Sequence, residues 1–258
     1  MTVELTISAG VAEILLNNPG SLNALDERSI AELSECYAQA AAAGVRAVLL
    51  HGEGRAFCAG RDISAVDPAT DDAEGYLSAV VTPLLAQIDA FPAPTFAIAT
   101  GACLGVGLGL LIASDVVYVA DTAKIGSPFA KLGATLDSGG HALFFERLGA
   151  HRTLDLIYTA ELLSGTEAVA LGLFSRVVPQ DEILAFTRER VGRVAAGATQ
   201  AFLASKRLVH QLRDERVGLW ASLAAENAAQ GALCGSADYA EGFAAFQEKR
   251  TPVFTGEG

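Results

Sequence analysis

Thr95-Phe96-Ala97-Ile98-Ala99 runs through Thr100 into Gly101-Ala102-Cys103-Leu104-Gly105-Val106-Gly107-Leu108-Gly109, and on through Leu110, Leu111 and Ile112 to Ala113. No residue from Phe91 to Ser114 is charged, and a stretch of that length can in principle span a bilayer. Pro92 and Pro94 break its start, however, and four glycines punctuate the rest. The pattern predicts a buried strand, a glycine-rich turn and a short buried helix, with no membrane partner. Working outward, Asp115–Ala120 is the next strand and Arg46–His51 an earlier buried one. Val3–Ser8 and Val11–Asn17 read as a hairpin around Ala9-Gly10. Asp26 caps a helix that runs to about Ala43 and stops at Gly44. A second helix is expected from Ala73 to Asp89. Strand and helix alternate, so the core is α/β.

Beyond Gly139 the apolar spacing turns helical, broken only by an expected strand at Phe174–Val178. Thr199–Leu233 reads as one or two long helices and Asp238–Lys249 as another. The expected organisation is a core over residues 1–198 and an appended helical module over residues 199–258. No Pro/Ser linker, tandem repeat or low-complexity tract divides them.

The chain has 258 residues, 51% of them hydrophobic, which supplies a sizeable core and excludes a disordered chain. Its net charge of −12 argues against a nucleic-acid partner, and any contact with a phosphate must be made locally. Four cysteines without a C-x-x-C pair indicate a reduced, cytoplasmic protein. Met1 to Asn18 lacks the basic opening of a targeting segment. The four histidines make no H-x-x-x-H or H-E-x-x-H pattern, so no metal site is expected.

Two glycine-bearing turns follow two core strands: Gly52 to Ile63, and Gly101 to Gly109. Neither is a phosphate-binding P-loop, because no Gly-Lys-Ser/Thr follows. Gly105, Gly107 and Gly109 also miss the G-x-G-x-x-G spacing of dinucleotide sites. Glycine lets backbone approach a ligand closely, and a helix start offers free N–H groups. Two such turns face to face can hold one oxyanion between two N–H donors. The same glycines equally serve tight strand-to-helix packing, and on chemistry alone the two readings are level.

The segments Phe57-Cys58-Ala59-Gly60-Arg61-Asp62-Ile63-Ser64 and Gly101 to Leu110 resemble the two oxyanion-hole segments of the crotonase (enoyl-CoA hydratase/isomerase) superfamily. The resemblance runs nearly the whole chain. Asn18-Pro19-Gly20-Ser21-Leu22-Asn23-Ala24-Leu25 is similar to the family's early N-A-L segment. Lys131-Leu132-Gly133 with Gly139-Gly140, and residues 236–250 with their E-G-x-x-A-F-x-E-K-R pattern, complete the match. The resemblance implies a spiral core of ββα units and a C-terminal helical trimerisation module, forming a homotrimer or a dimer of trimers. It implies an acyl-CoA thioester substrate, whose coenzyme A is part of the substrate, and no further cofactor. The thioester oxygen would sit between the N–H groups of Arg61 and Val106. Ala24 and Ala59 fall where the family's backbone contacts the adenine and pantetheine arm. Asp62, Ile63 and Phe129 belong to the matched substrate-binding segments, and Lys249 matches a lysine that approaches the CoA phosphate or adenine.

Two departures bear on the reaction. The family's hydratases carry two glutamates, and their positions here are Gly109 and Phe129. Syn-addition of water needs one group to activate water and another to manage the α-proton. One acid remains, Asp137 in Leu136-Asp137-Ser138-Gly139-Gly140, at a place similar to the isomerase branch. A single carboxylate suffices to shift a Δ3 double bond to Δ2. Taken alone, Asp137 also reads as the N-cap of a helix over Gly140–Leu148. His141, four residues on, is a candidate assistant to Asp137, and Asp62 is expected to brace its own loop. Cys58 and Cys103 are expected to pack in the core. The expected activity is enoyl-CoA isomerisation with Asp137 as base. The alternatives are a hydratase-type lyase with weak or atypical hydration, and a noncatalytic acyl-CoA-binding or structural subunit. A hydrolase or dehalogenase with Asp137 as nucleophile would need a further activating group.

Overall fold

Ala9 and Gly10 adopt positive φ, 49° and 75°, and fold β1 (Val3–Ser8) back onto β2 (Val11–Leu16) as an antiparallel pair. The computed structural model describes residues 2–64, 66–67 and 69–256. The outermost ends of the two expected units, residues 1 and 257–258, lie outside the described residues. Asp26 accepts the Ser29 N–H at 2.7 Å and so starts α1 (Glu27–Ala42). The next strand, β3 (Ala47–Gly52), is buried over its first five residues.

α2 (Ala73–Tyr76) is followed by a π turn (Leu77–Val81) and then α3 (Thr82–Asp89). The single helix expected over this segment is therefore interrupted by a wider turn. β4 (Thr95–Ala99), β5 (Ala102–Leu104), α4 (Val106–Ile112), β6 (Val116–Ala120) and β7 (Lys124–Gly126) complete the first half. The expected glycine-rich turn thus contains a short strand of its own. A helix of 20 residues, α5 (Gly140–Thr159), is kinked at Gly149, which has φ 72°. Then follow β8 (Leu163–Ser164), α6 (Gly165–Ala170), β9 (Arg176–Val178) and α7 (Ile183–Ala195). The expected strand at Phe174–Val178 begins two residues later, and β8 was not anticipated. The tail forms α8 (Thr199–Glu215), α9 (Leu219–Leu233) and α10 (Ala237–Glu248).

Among the described residues the strands form two sheets. One runs β1-β2-β3-β4-β6-β9, parallel apart from the opening hairpin. The other is β5-β7-β8. β3 and β4 are apolar without alternation because they lie inside the larger sheet under packed helices. Residues such as Leu49, Leu50 and Leu108 are fully buried, each contributing about 1.5–3 kcal/mol of hydrophobic stabilisation. No helix of the described residues is long and apolar enough to cross a membrane.

Polar clamps tie the tail to the core. Arg46 donates to Thr199 Oγ1 at 3.1 Å, to the Phe254 carbonyl at 2.9 Å and to the Gly197 carbonyl. Lys206 pairs with Asp115 at 3.0 Å and donates to the Phe91 carbonyl. The other two helices of the tail, α9 and α10, leave large apolar side chains in solvent: Trp220 is 81% exposed and Phe246 84%.

Candidate active site

The two glycine turns converge because their backbones pair. Phe57 and Cys58 donate to the carbonyls of Thr100 and Ala102, and Leu104 donates back to the Cys58 carbonyl, all within 3.0 Å. These bonds make a parallel bridge between Cys58 and Cys103. Glycine is required at the junction. A Cβ on Gly60, whose φ is 98°, would lie 2.8 Å from the Leu104 carbonyl oxygen and 3.6 Å from the Gly105 Cα. Gly107 packs as closely on the Cys58 carbonyl, at 2.4 Å from an added Cβ.

Arg61 follows Gly60, and Val106 follows Gly105 as the first residue of α4. The Val106 N–H has no acceptor within its helix, as for any first-turn amide. Neither this N–H nor that of Arg61 donates to an acceptor among the described residues. The Arg61 side chain is occupied elsewhere. Its guanidinium forms a two-pronged bond to Asp71 at 2.8 and 2.9 Å and lies 4.0 Å over the Tyr76 ring.

The Asn18–Leu25 segment is stitched onto the first turn. Leu25 donates to the Gly60 carbonyl, Asp62 donates to the Leu25 carbonyl, and Ala59 donates to the Leu22 carbonyl. Buried Asn23 holds this arrangement by donating to the Glu53 and Ala56 carbonyls. Ala24, Ala59, Arg61 and Asp62 are thereby brought together. Asp62 accepts the Ser64 N–H at 2.9 Å, the loop brace expected of it. Ile63 is 54% exposed at the outer edge.

Phe129 stands against the second turn. A Cβ on Gly105 would meet its ring at 2.9 Å, and Ser127 Oγ accepts the Gly105 N–H. Gly109, deeper along α4, packs on the segment that carries Asp137. An added Cβ there would lie 2.6 Å from Ser138 Cβ and 3.3 Å from Leu85 on α3. Ser138 itself has φ 52°, and Gly139 has φ 87°. Such backbone costs energy for a residue with a side chain and is retained at sites where position matters.

Asp137 is not the helix cap that its sequence position suggests. Gly139 occupies the N-cap of α5 without a side-chain bond, and Asp137 contributes only its carbonyl, to the Gly140 N–H. One carboxylate oxygen of Asp137 is buried without a hydrogen-bond partner. Burial pushes its pKa above the ordinary 3.8. The adjacent Ser138 hydroxyl, which is off hydrogen-bonding geometry, and the His141 charge offset this only in part. His141 itself is exposed.

The thiols at the junction are buried. Desolvation pushes Cys58 up to about 12 and Cys103 well above its usual value, so both stay protonated and serve as packing. Lys249 is the exposed C-cap of α10, with φ 55°, and α10 packs with α8, α9 and Phe254 around a cavity of about 440 Å³. No group of three or more potential metal ligands occurs among the described residues. Tyr76 and Ser138, both beside the site, were not singled out from sequence. A lone tyrosine between Gly75 and Leu77 carries no pattern that marks it.

The sequence profile described as enoyl-CoA hydratase/isomerase matches residues 6–257. A protein of Rhodobacter capsulatus named a probable enoyl-CoA hydratase is 36% identical over 99% of this chain and 98% of its own length. The 1,2-epoxyphenylacetyl-CoA isomerase of Escherichia coli is 33% identical over 97% of each chain. Among solved structures, enoyl-CoA hydratase from Bacillus anthracis superposes with a TM-score of 0.90 at 28% identity and covers the whole of both chains.

Proposed function

The chain belongs to the enoyl-CoA hydratase/isomerase family, and on that premise we propose that it moves the double bond of an acyl-CoA thioester from Δ3 to Δ2, with Asp137 as the base. The carboxylate of Asp137 takes a proton from C2. The C–H electrons pass into the thioester as an enolate, whose oxygen is held by the N–H groups of Arg61 and Val106. The same carboxylate returns the proton to C4, where the C3–C4 π electrons form the new C–H bond. The C1–C2 electrons of the enolate close the new C2–C3 double bond, and the thioester carbonyl re-forms. Each donor need only be preplaced where charge develops to lower the barrier, typically by a few kcal/mol.

The observation that carries this reading is the buried, unpartnered oxygen of Asp137. Burial makes it a stronger base than a solvated carboxylate. Phe129 and Gly109 stand where a hydratase would have its two glutamates, and Gly109 has no space for a side chain. The names of several relatives favour the second reading, hydration of a Δ2 thioester. An absorbance assay with matched 3-enoyl- and 2-enoyl-CoA separates the two. Isomerisation is expected to exceed hydration, and the reverse order would establish the lyase reading.

Coenzyme A is polyanionic and the chain carries a net charge of −12, so its phosphates need local cations. We assign that role to Lys249, delivered across a subunit boundary in a homotrimer or dimer of trimers built through the exposed apolar faces of α9 and α10. Lys249→Ala is expected to weaken CoA binding several-fold in titration without moving the pH profile of turnover. Unchanged affinity would return Lys249 to the solvent. Sedimentation of the same sample should give a trimer or hexamer, and a stable monomer at micromolar concentration would remove the shared-site arrangement.

A further inference from the structure

One buried polar group near the site has no role in the proton shuttle. Tyr76 is 7% exposed, and its hydroxyl has no hydrogen-bond partner. Its ring is fixed beneath the Arg61 guanidinium at 4.0 Å, and Asp71 fixes the guanidinium in turn. Asp72 caps α2 by accepting the Gly75 N–H, so the backbone entering Tyr76 is also held. The tyrosine sits where α2 passes into the π turn Leu77–Val81, a distortion concentrated at functional sites.

The phenol lies close enough to Asp137 for that charge to act on it. Asp137 Oδ1 and Ser138 Oγ are likewise buried and unpartnered. Three such atoms on neighbouring segments do not satisfy one another. A buried polar group left unmatched carries an uncompensated desolvation penalty, and phenylalanine would fill the same space without it. Burial, the largest cause, pushes the phenol pKa up to about 12, so the hydroxyl stays a donor at neutral pH. Ser138 and the apolar Leu85 both pack against Gly109, so the Ser138 hydroxyl stands out against an apolar neighbour.

We infer that Tyr76, with Ser138, reads an oxygen atom on the acyl group, so that this site prefers thioesters bearing a hydroxyl, carbonyl or ether oxygen beyond C1 over plain hydrocarbon chains. The inference rests on the acyl-CoA reading above and narrows its substrate class. A site whose buried groups must bond an oxygen rejects the analogue lacking it far more strongly than an apolar pocket rejects an added hydroxyl.

Calorimetric titration of the whole protein with butanoyl-CoA, 3-hydroxybutanoyl-CoA and 3-oxobutanoyl-CoA tests this. The wild type is expected to bind at least one oxygenated thioester about 10-fold or more tightly than butanoyl-CoA, about 1.4 kcal/mol. Tyr76→Phe should abolish most of that difference and leave butanoyl-CoA binding unchanged or tighter. Ser138→Ala should reduce it in the same sense, and thermal unfolding should show both variants folded. Equal wild-type affinity for all three ligands, or an equal loss for all three in Tyr76→Phe, would overturn the inference while leaving the acyl-CoA reading standing. Failure of every thioester to bind would overturn both.

Discussion

Asp137→Asn is expected to lower isomerase turnover by roughly 10²–10⁴-fold, the contribution of a positioned general base, with a much smaller change in substrate affinity. Asparagine preserves the shape and cannot accept the proton. The substitution does not confound chemistry with a lost cap, because the N-cap of α5 is Gly139 and no side chain bonds there. The pH dependence carries the same signature. Burial raises the Asp137 pKa above its ordinary 3.8, so the active, ionised form fills in only as pH climbs through that raised value. Its effect on stability has a definite sign. A group with a raised folded pKa contributes stability that is fully present below the unfolded pKa and is lost as pH rises through the folded one. At neutral pH Asp137 is therefore a burden on the fold. Asp137→Asn should unfold at or above the wild-type temperature while losing activity. A variant that is less stable but nearly fully active would reverse both halves of the assignment.

Gly109→Glu should fail to convert the protein into a hydratase, although it supplies one of the two carboxylates that reaction uses. The first carbon of the new side chain would already lie 2.6 Å from Ser138 Cβ and 3.1 Å from the Ser138 carbonyl. Ser138 is constrained at φ 52° beside Gly139 at 87° and has little freedom to retreat. The clash is relieved by displacing the segment that carries Asp137. Overpacking of this kind costs about 1–3 kcal/mol, and a sub-ångström shift of the base removes much of its benefit. The expected result is a lowered unfolding temperature, at least a 10-fold loss of isomerisation and no gain in hydration. Gly109→Ala adds only the offending carbon. It should lose stability and isomerisation in the same direction, which ties the effect to space rather than charge. A gain of hydration in Gly109→Glu would show that the site tolerates the second carboxylate.

The larger sheet was legible because β3 and β4 are apolar runs bounded by turn residues, because β2 alternates buried and half-buried positions, and because Asp26 and Gly44 bracket α1. The sheet β5-β7-β8 was not legible. Its strands have three, three and two residues, too few to show a period, and they pair across long stretches of chain. The two glycine turns could be found from their glycines and from family resemblance. Their convergence depends on the Cys58–Cys103 bridge, a pairing that local pattern does not encode. Asp137 shows the limit most clearly. Its position before Gly140 satisfies the rule for a helix cap, and only the left-handed backbone of Ser138 and Gly139 moves the cap two residues on and leaves the carboxylate unbonded. Tyr76 carried no signal at all, since what marks it is a missing partner in the folded chain.

The central claim is that one carboxylate carries the proton out and back. It is tested most directly by turning over 3-enoyl-CoA deuterated at C2 in ordinary water and locating the label in the product by mass spectrometry. Asp137 is half-buried, so return to C4 should compete with exchange to solvent, and a measurable share of the deuterium should appear at C4. Complete loss of the label from C4 in the wild type, with turnover intact, would contradict the single-carboxylate shuttle.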